Sequence, residues 1–144
     1  MFAFEQPLLD RLGAYLPEGT SLFTAPTLDG VRVGAQIAPA VHLIMDGSVV
    51  AEVAAGGDPT RLVDHWITVV AVRNHRDIES GLQARAQANS IILSIYQALA
   101  GWKISGASKP IEFDEMSPPQ YTTNHLFVPL GWRLEQVLAN PSQI

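Results

Sequence analysis

The chain has no cysteine, which excludes disulfide scaffolds, thiolate zinc sites and cysteine nucleophiles. It is also poor in charge, at 16% against the quarter or so usual for globular proteins. Much of its surface is therefore uncharged, which suits a protein that buries several faces against neighbours, and a homo-oligomer is expected. No apolar run approaches the roughly 20 residues needed to cross a bilayer, and the opening residues 1 to 7 carry no basic stretch of the kind that starts a secretory signal. A soluble, intracellular chain with no membrane partner is the expectation. Nor is there an HExxH pair, an Asx-rich calcium loop, a serine in a nucleophile elbow or a GxGxxG turn. Metal, cofactor and triad chemistry thus have no motif to stand on.

What is present is a 144-residue chain, 47% apolar, with no low-complexity tract and no internal repeat. A chain of this length hides roughly two-thirds of its unfolded surface in one core, so residues 1–144 read as one domain. The net charge of −5 is unevenly distributed. Residues 1–60 carry Arg11 and Arg32 against Glu5, Asp10, Glu18, Asp29, Asp46, Glu52 and Asp58, whereas positive and negative residues balance over 61–144. A nucleic-acid binder needs a basic face to neutralise phosphates. None is visible here, so tight DNA or RNA binding is not expected.

Leu8, Leu9, Leu12, Tyr15 and Leu16 recur at helical spacing and predict a helix over 6–16, with Pro7 in its first turn and Pro17 and Gly19 ending it. Residues 17–30 read as loop. Val31, Val33, Ala35 and Ile37 alternate as in a strand that Pro39 ends. Val41 to Met45 and Val49 to Val53 flank Asp46-Gly47, the pattern of a hairpin turn. Leu62 to Val72 is apolar on both faces and predicts a central strand. A long helix follows over 77–100, with Asn74 or Asp77 as its cap, an inward stripe from Ala84 to Leu99 and a stop at Gly101. Ile111 and Phe113 alternate with Glu112 and Asp114 before Ser117-Pro118-Pro119. Leu126, Val128, Leu130, Trp132 and Leu134 then hold period two, with Pro129 and Gly131 on the opposite face. A proline there makes this strand an edge, or bulges it. The whole reads as an α+β domain, a mainly antiparallel sheet carrying an N-terminal helix and one long central helix.

The four histidines give little chemistry. On a straight strand His65 and His75 stand roughly 33 Å apart and cannot share a metal. Asp64-His65 reads as a surface pair at a strand entrance, since no nucleophile accompanies it. Glu112, Asp114 and Glu115 read as a solvated strand edge, and no catalytic, cofactor or metal residue is assigned.

The strand Trp66-Ile-Thr-Val-Val-Ala-Val-Arg-Asn74 running into an Ala-rich helix, and the exit Ala98-Leu99-Ala100-Gly101-Trp102 before Lys103, resemble the tail terminator, or tail-completion, proteins of long-tailed bacteriophages and prophages, including the Mu-like branch. The resemblance covers most of the chain. It implies a structural virion protein without catalytic residues. Such a protein forms a hexameric ring on the head-proximal end of the tail tube, stops tube polymerisation and offers a surface to the neck or head-completion protein. Genome DNA would pass through the lumen unbound, and the acidic excess of residues 1–60 suits such a lumen. The loops 46–59 and 103–121 are candidates for contact with the tube or a neighbouring subunit, which nominates Asp46, Asp58, Asp114 and Glu115. Arg73, Arg76 and Arg85, near the strand-to-helix junction, are candidates to pair with acids of an adjacent subunit. Another head–tail connector remains an alternative, as does a small α+β enzyme or ligand-binding module. A closed, polar-lined pocket gathering His65 or His125 with carboxylates would mark that last reading.

Overall fold

The computed structural model describes residues 2–34, 37–74 and 78–143. A single turn of tight helix (Phe2–Phe4) leads into α1 (Glu5–Tyr15), followed by β1 (Ser21–Thr24), α2 (Leu28–Gly34), β2 (Ala40–Val53), β3 (Thr60–Arg73), α3 (Ile78–Leu99), β4 (Glu112–Met116), β5 (Gln120–Tyr121) and β6 (His125–Leu138), and a last tight turn (Pro141–Gln143). Among the described residues, six strands form one sheet in the order β1-β2-β3-β6-β4, with β5 also on β6, and of these pairings β1 with β2 alone is parallel, the two joined through α2 as a crossover. The fold is therefore the expected α+β, with α1 and α3 layered on one face of a mainly antiparallel sheet.

That helical layer follows from periodicity. Leu8 and Leu12 of α1, and Ala84, Ala88, Ile91, Ile95, Ala98 and Leu99 of α3, meet Val41, Leu43, Trp66, Val70, Val72, Leu126, Val128, Leu130, Trp132 and Leu134 in the main core. The small residues at the front of α3 bring its backbone close to the sheet, and the isoleucines behind fill the space beyond. Tyr15 closes α1 because Leu16 precedes proline and turns extended, at φ −65° and ψ 145°. At the other helix, Gly101 takes φ +77° and donates its N–H to the Ile111 carbonyl at 2.9 Å, while the Trp102 N–H returns to Leu99 at 3.1 Å.

The sheet's second face is covered only in part. A small cluster of Val31, Ile44, Val69, Ala71 and Phe127, with Ala25, Leu28 and Ile67 packed against it, sits under α2. Here the expected strand over 31–37 is corrected: Leu28 to Gly34 is helical, and residues 35 and 36 lie outside the described residues. The Thr27 hydroxyl accepts the Gly30 N–H at 3.0 Å and its carbonyl the Val31 N–H at 3.3 Å, so Thr27 starts a helix. Leu28 and Val31, three apart, then share the face that meets the sheet. The strand β1 also stands where a loop was expected.

Two further expectations change. Asp46-Gly47 is not a hairpin turn. β2 is continuous from 40 to 53 and shifts register between Met45 and Ser48 and again between Val50 and Glu52, while the reversal comes at 54–59, where Gly56 and Gly57 take φ +94° and +90°. Gly47 supplies φ +113° to a bulge, which needs a positive φ much as a tight turn does. β6 is not an edge either, for it pairs with β3 along its whole length and with β4 and β5 on its other side. Pro129 fits because its carbonyl accepts the Ser117 N–H at 3.2 Å. Its nitrogen points the same way, into the 117–119 gap between β4 and β5, where no ladder bond is demanded.

At the far end of the sheet the strands outrun the helices. A 14-residue strand such as β3 rises roughly 46 Å, whereas the 22-residue α3 spans roughly 33 Å. The last stretch of β2, β3 and β6 therefore projects as a three-stranded ribbon past the end of α3.

Candidate functional site

The sequence-nominated residues fall on different parts of this slab. Asp46, in the β2 bulge, and Asp114 and Glu115, in β4, come together on the open face of the sheet. There they line a depression of about 90 Å³ with His65, Ile67 and Gly131. β4 also bulges, its register shifting between Phe113 and Glu115. Glu115 packs over Gly131, where an added Cβ would lie 3.5 Å from the Glu115 Cβ. His65 Nδ1 stands 3.7 Å from the Asp114 carboxylate, both about one-third exposed, so the pair is a solvent-screened contact.

Asp58 lies elsewhere. In the β2–β3 turn its carboxylate accepts the Asn140 N–H at 2.8 Å, tying the ribbon tip to the chain's last turn. Arg73 ends β3 opposite His125, whose pKa is pushed down by burial and then by the Arg73 charge. Arg85 stands on the exposed flank of α3, its guanidinium across the buried Gly81, where a Cβ would meet Nη1 at 3.3 Å and Asn74 Oδ1 at 3.8 Å. Arg76, like His75 and Asp77, lies outside the described residues. The structure thus joins Asp46, Asp114 and Glu115 and leaves Asp58, Arg73 and Arg85 apart from them.

The adjacent Asp64 and His65 point to opposite faces, as neighbours on a strand must. Far from being a surface group, the Asp64 carboxylate is fully buried. It accepts the Ser48 hydroxyl at 2.6 Å and the Gln136 amide at 2.9 Å, so it locks the three ribbon strands at their root. His42, also buried, packs tilted against Phe23 with ring centroids 5.3 Å apart, and burial lowers its pKa. Among the described residues no group of three or more His, Cys, Asp or Glu is placed to hold a metal ion, and no helix is long and apolar enough to cross a membrane.

Three features were not nominated from the sequence. Arg11 of α1 donates its Nε–H to the Ala98 carbonyl at 2.9 Å and lies between two aromatic rings, 4.7 Å from the centroids of Tyr15 and Trp102. The spacing Arg11 to Tyr15 was a helical i, i+4 signal, but the partner Trp102 is distant in sequence. The second feature is an ion network around the nearly buried Glu135, reached by Arg61 at 3.3 Å and Lys109 at 3.4 Å. Burial alone would raise the Glu135 pKa, yet the Lys109 and Arg61 charges outweigh it and lower it. The third is an aromatic group at the β4 edge, where Phe113 sits 5.0 Å from Trp132 and Tyr96 6.1 Å from Phe113.

The fold is similar to that of a chain in the virion of a native gene transfer agent particle, with a TM-score of 0.51 and 13% identity over 90% of this chain and 84% of that one. At that identity the likeness is one of fold. A comparison with curated proteins finds no match. The model of the phage tail terminator protein family matches residues 1–141, and the chain belongs to that family. It is a phage tail structural protein, and its place is in the virion.

Proposed function

We propose that residues 1–144 act as one domain that closes into a ring, a hexamer by the family resemblance, on the head-proximal end of the tail tube. There it ends tube polymerisation and presents its other rim to a neck or head-completion protein. The observation that carries this reading is the family match over nearly the whole chain. The role is structural and not catalytic, requires no cofactor, and lets genome DNA pass through the lumen without specific binding. Membership of the Mu-like branch belongs to the same reading, on the helix exit Ala98-Leu99-Ala100-Gly101-Trp102.

The fold is compatible with a ring because the slab leaves unlike surfaces on its two sides, as head-to-tail closure requires. Solution mass by light scattering over a concentration series tests the first half. Six copies of a 15.6 kDa chain give about 94 kDa for a closed cyclic species. The second half is tested by adding the protein to polymerising tube subunits and imaging. Tubes should stop growing and carry a ring at one end only. Tubes that elongate unchanged, with protein bound along their sides or not at all, would refute the capping role.

A further inference from the structure

We propose that the subunit contact of the assembly joins the outer face of α3 on one copy to the open, acidic face of the sheet on the next. The proposal rests on the homo-oligomeric reading above and assigns its surfaces.

The first surface is the outward stripe of α3. Leu82, Leu93 and Tyr96 are 58%, 53% and 49% exposed and, with Ala86 and Asn89, fall within one narrow arc of the helix. A helix face turned to water normally carries charge. From Gly81 to Leu99 the single charged residue is Arg85, which has no acidic partner among the described residues.

The second surface lies on the other side of the slab. α2 covers only one part of the sheet there, leaving Val49 and Val137 55% and 50% exposed and Ile67 half-buried at the depression. Around it the charge is unbalanced. The nearby cations Arg61, Lys109 and Arg133 are engaged with Glu52, Glu112 and Glu135. Asp114 has only His65, and Asp46 and Glu115 have no ion-pair partner among the described residues. Among the described residues, one face thus offers apolar side chains with a single cation at its flank, and the other apolar side chains with unmatched carboxylates.

Direction decides how they combine. The surfaces lie on opposite sides of one slab, so joining them places each copy behind the last and leaves both surfaces free at the ends until the chain of copies closes. Two like faces would instead pair about a twofold axis and stop at a dimer. A second copy of this chain is the occupant to which both the charge and the geometry point.

The native chain has no cysteine, so engineered ones report without background. Leu93→Cys and Glu115→Cys, both at exposed positions, are made singly and together and treated with a bis-maleimide. Each single variant should give no covalent product, and the double variant a denaturing-gel ladder of multimers. A dimer from either single variant would show like-to-like contact and overturn the proposal. So would an oligomer seen by light scattering whose double variant yields no ladder, and in that case homo-oligomerisation itself survives. A chain that stays at monomer mass even with tail tubes present refutes the oligomeric reading, and the proposal with it. Independently, Arg85→Glu should weaken assembly at least tenfold without changing the melting temperature of the dissociated monomer, and Glu115→Lys added to it should restore assembly. An Arg85→Glu variant that assembles normally would count against the contact.

Discussion

Replacing Arg11 by alanine should destabilise the fold by about 2 to 3 kcal/mol, counting a charged hydrogen bond and two half-exposed cation–π contacts, which do not add in full. The side chain donates to the Ala98 carbonyl in the last turn of α3, where the helix dipole favours a cation, and it fills the slot between Tyr15 and Trp102. In a 144-residue protein that loss corresponds to a fall in Tm of roughly 8 °C. Thermal unfolding followed by circular dichroism gives the number. Arg11→Lys retains the charge but not the planar stack or the Nε donor, so it should recover less than half of the loss. If Arg11→Ala melts within about 1 °C of the parent, or Arg11→Lys is indistinguishable from it, the account of how α1 is clamped to the end of α3 is wrong.

Asp64→Ala should cost about 3 kcal/mol, because it leaves the Ser48 hydroxyl and the buried Gln136 amide without their acceptor; chemical denaturation measures it, and a loss under 1 kcal/mol would remove the carboxylate from its role at the ribbon root. Folded His42 and His125 hold pKa values below the ordinary 6.5, so the unfolded chain takes up protons first. Stability should be full above that value and fall as pH drops below it. His42→Phe should flatten that fall between pH 7.5 and 5.5, and an unchanged slope would exclude His42 as its source. Gly47→Ala places a side chain at φ +113° and should cost about 2 kcal/mol. Under the hairpin-turn reading this substitution would instead break strand pairing from residue 48 onward, which hydrogen exchange of the ribbon amides would reveal.

How much of this was legible in the sequence varies by element. Both main helices were, since a stripe such as Ile91, Ile95 and Leu99 needs only its own neighbours to declare a 3.6-residue period. β3 was too, because a strand apolar on both faces can only be central. The alternation Val31, Val33, Ala35, Ile37 points to a strand, yet Val31 with Leu28 also satisfies a helical spacing, and the Thr27 cap that settles it lies in a stretch whose Pro26 and Asp29-Gly30 read as loop. The candidate surfaces were legible only as residue types. Asp46 and Asp114 lie 68 positions apart in the chain, and nothing local says that two bulges bring them beside His65.

From the sequence by itself came the class of fold, its two main helices and central strand, the lack of cysteine thiols and the resemblance to tail terminators, because composition and short-range periodicity carry them. Tertiary structure decided the rest. Asp46-Gly47 is a bulge because Ser48 finds Asp64 across the sheet. Pro129 sits in an internal strand because the 117–119 gap lies beside it. Arg11 holds α3 because Trp102 returns to it. Each outcome depends on cross-strand register or on which layer covers a face, and these follow from packing between residues far apart in the chain, where one partner alone carries no signal.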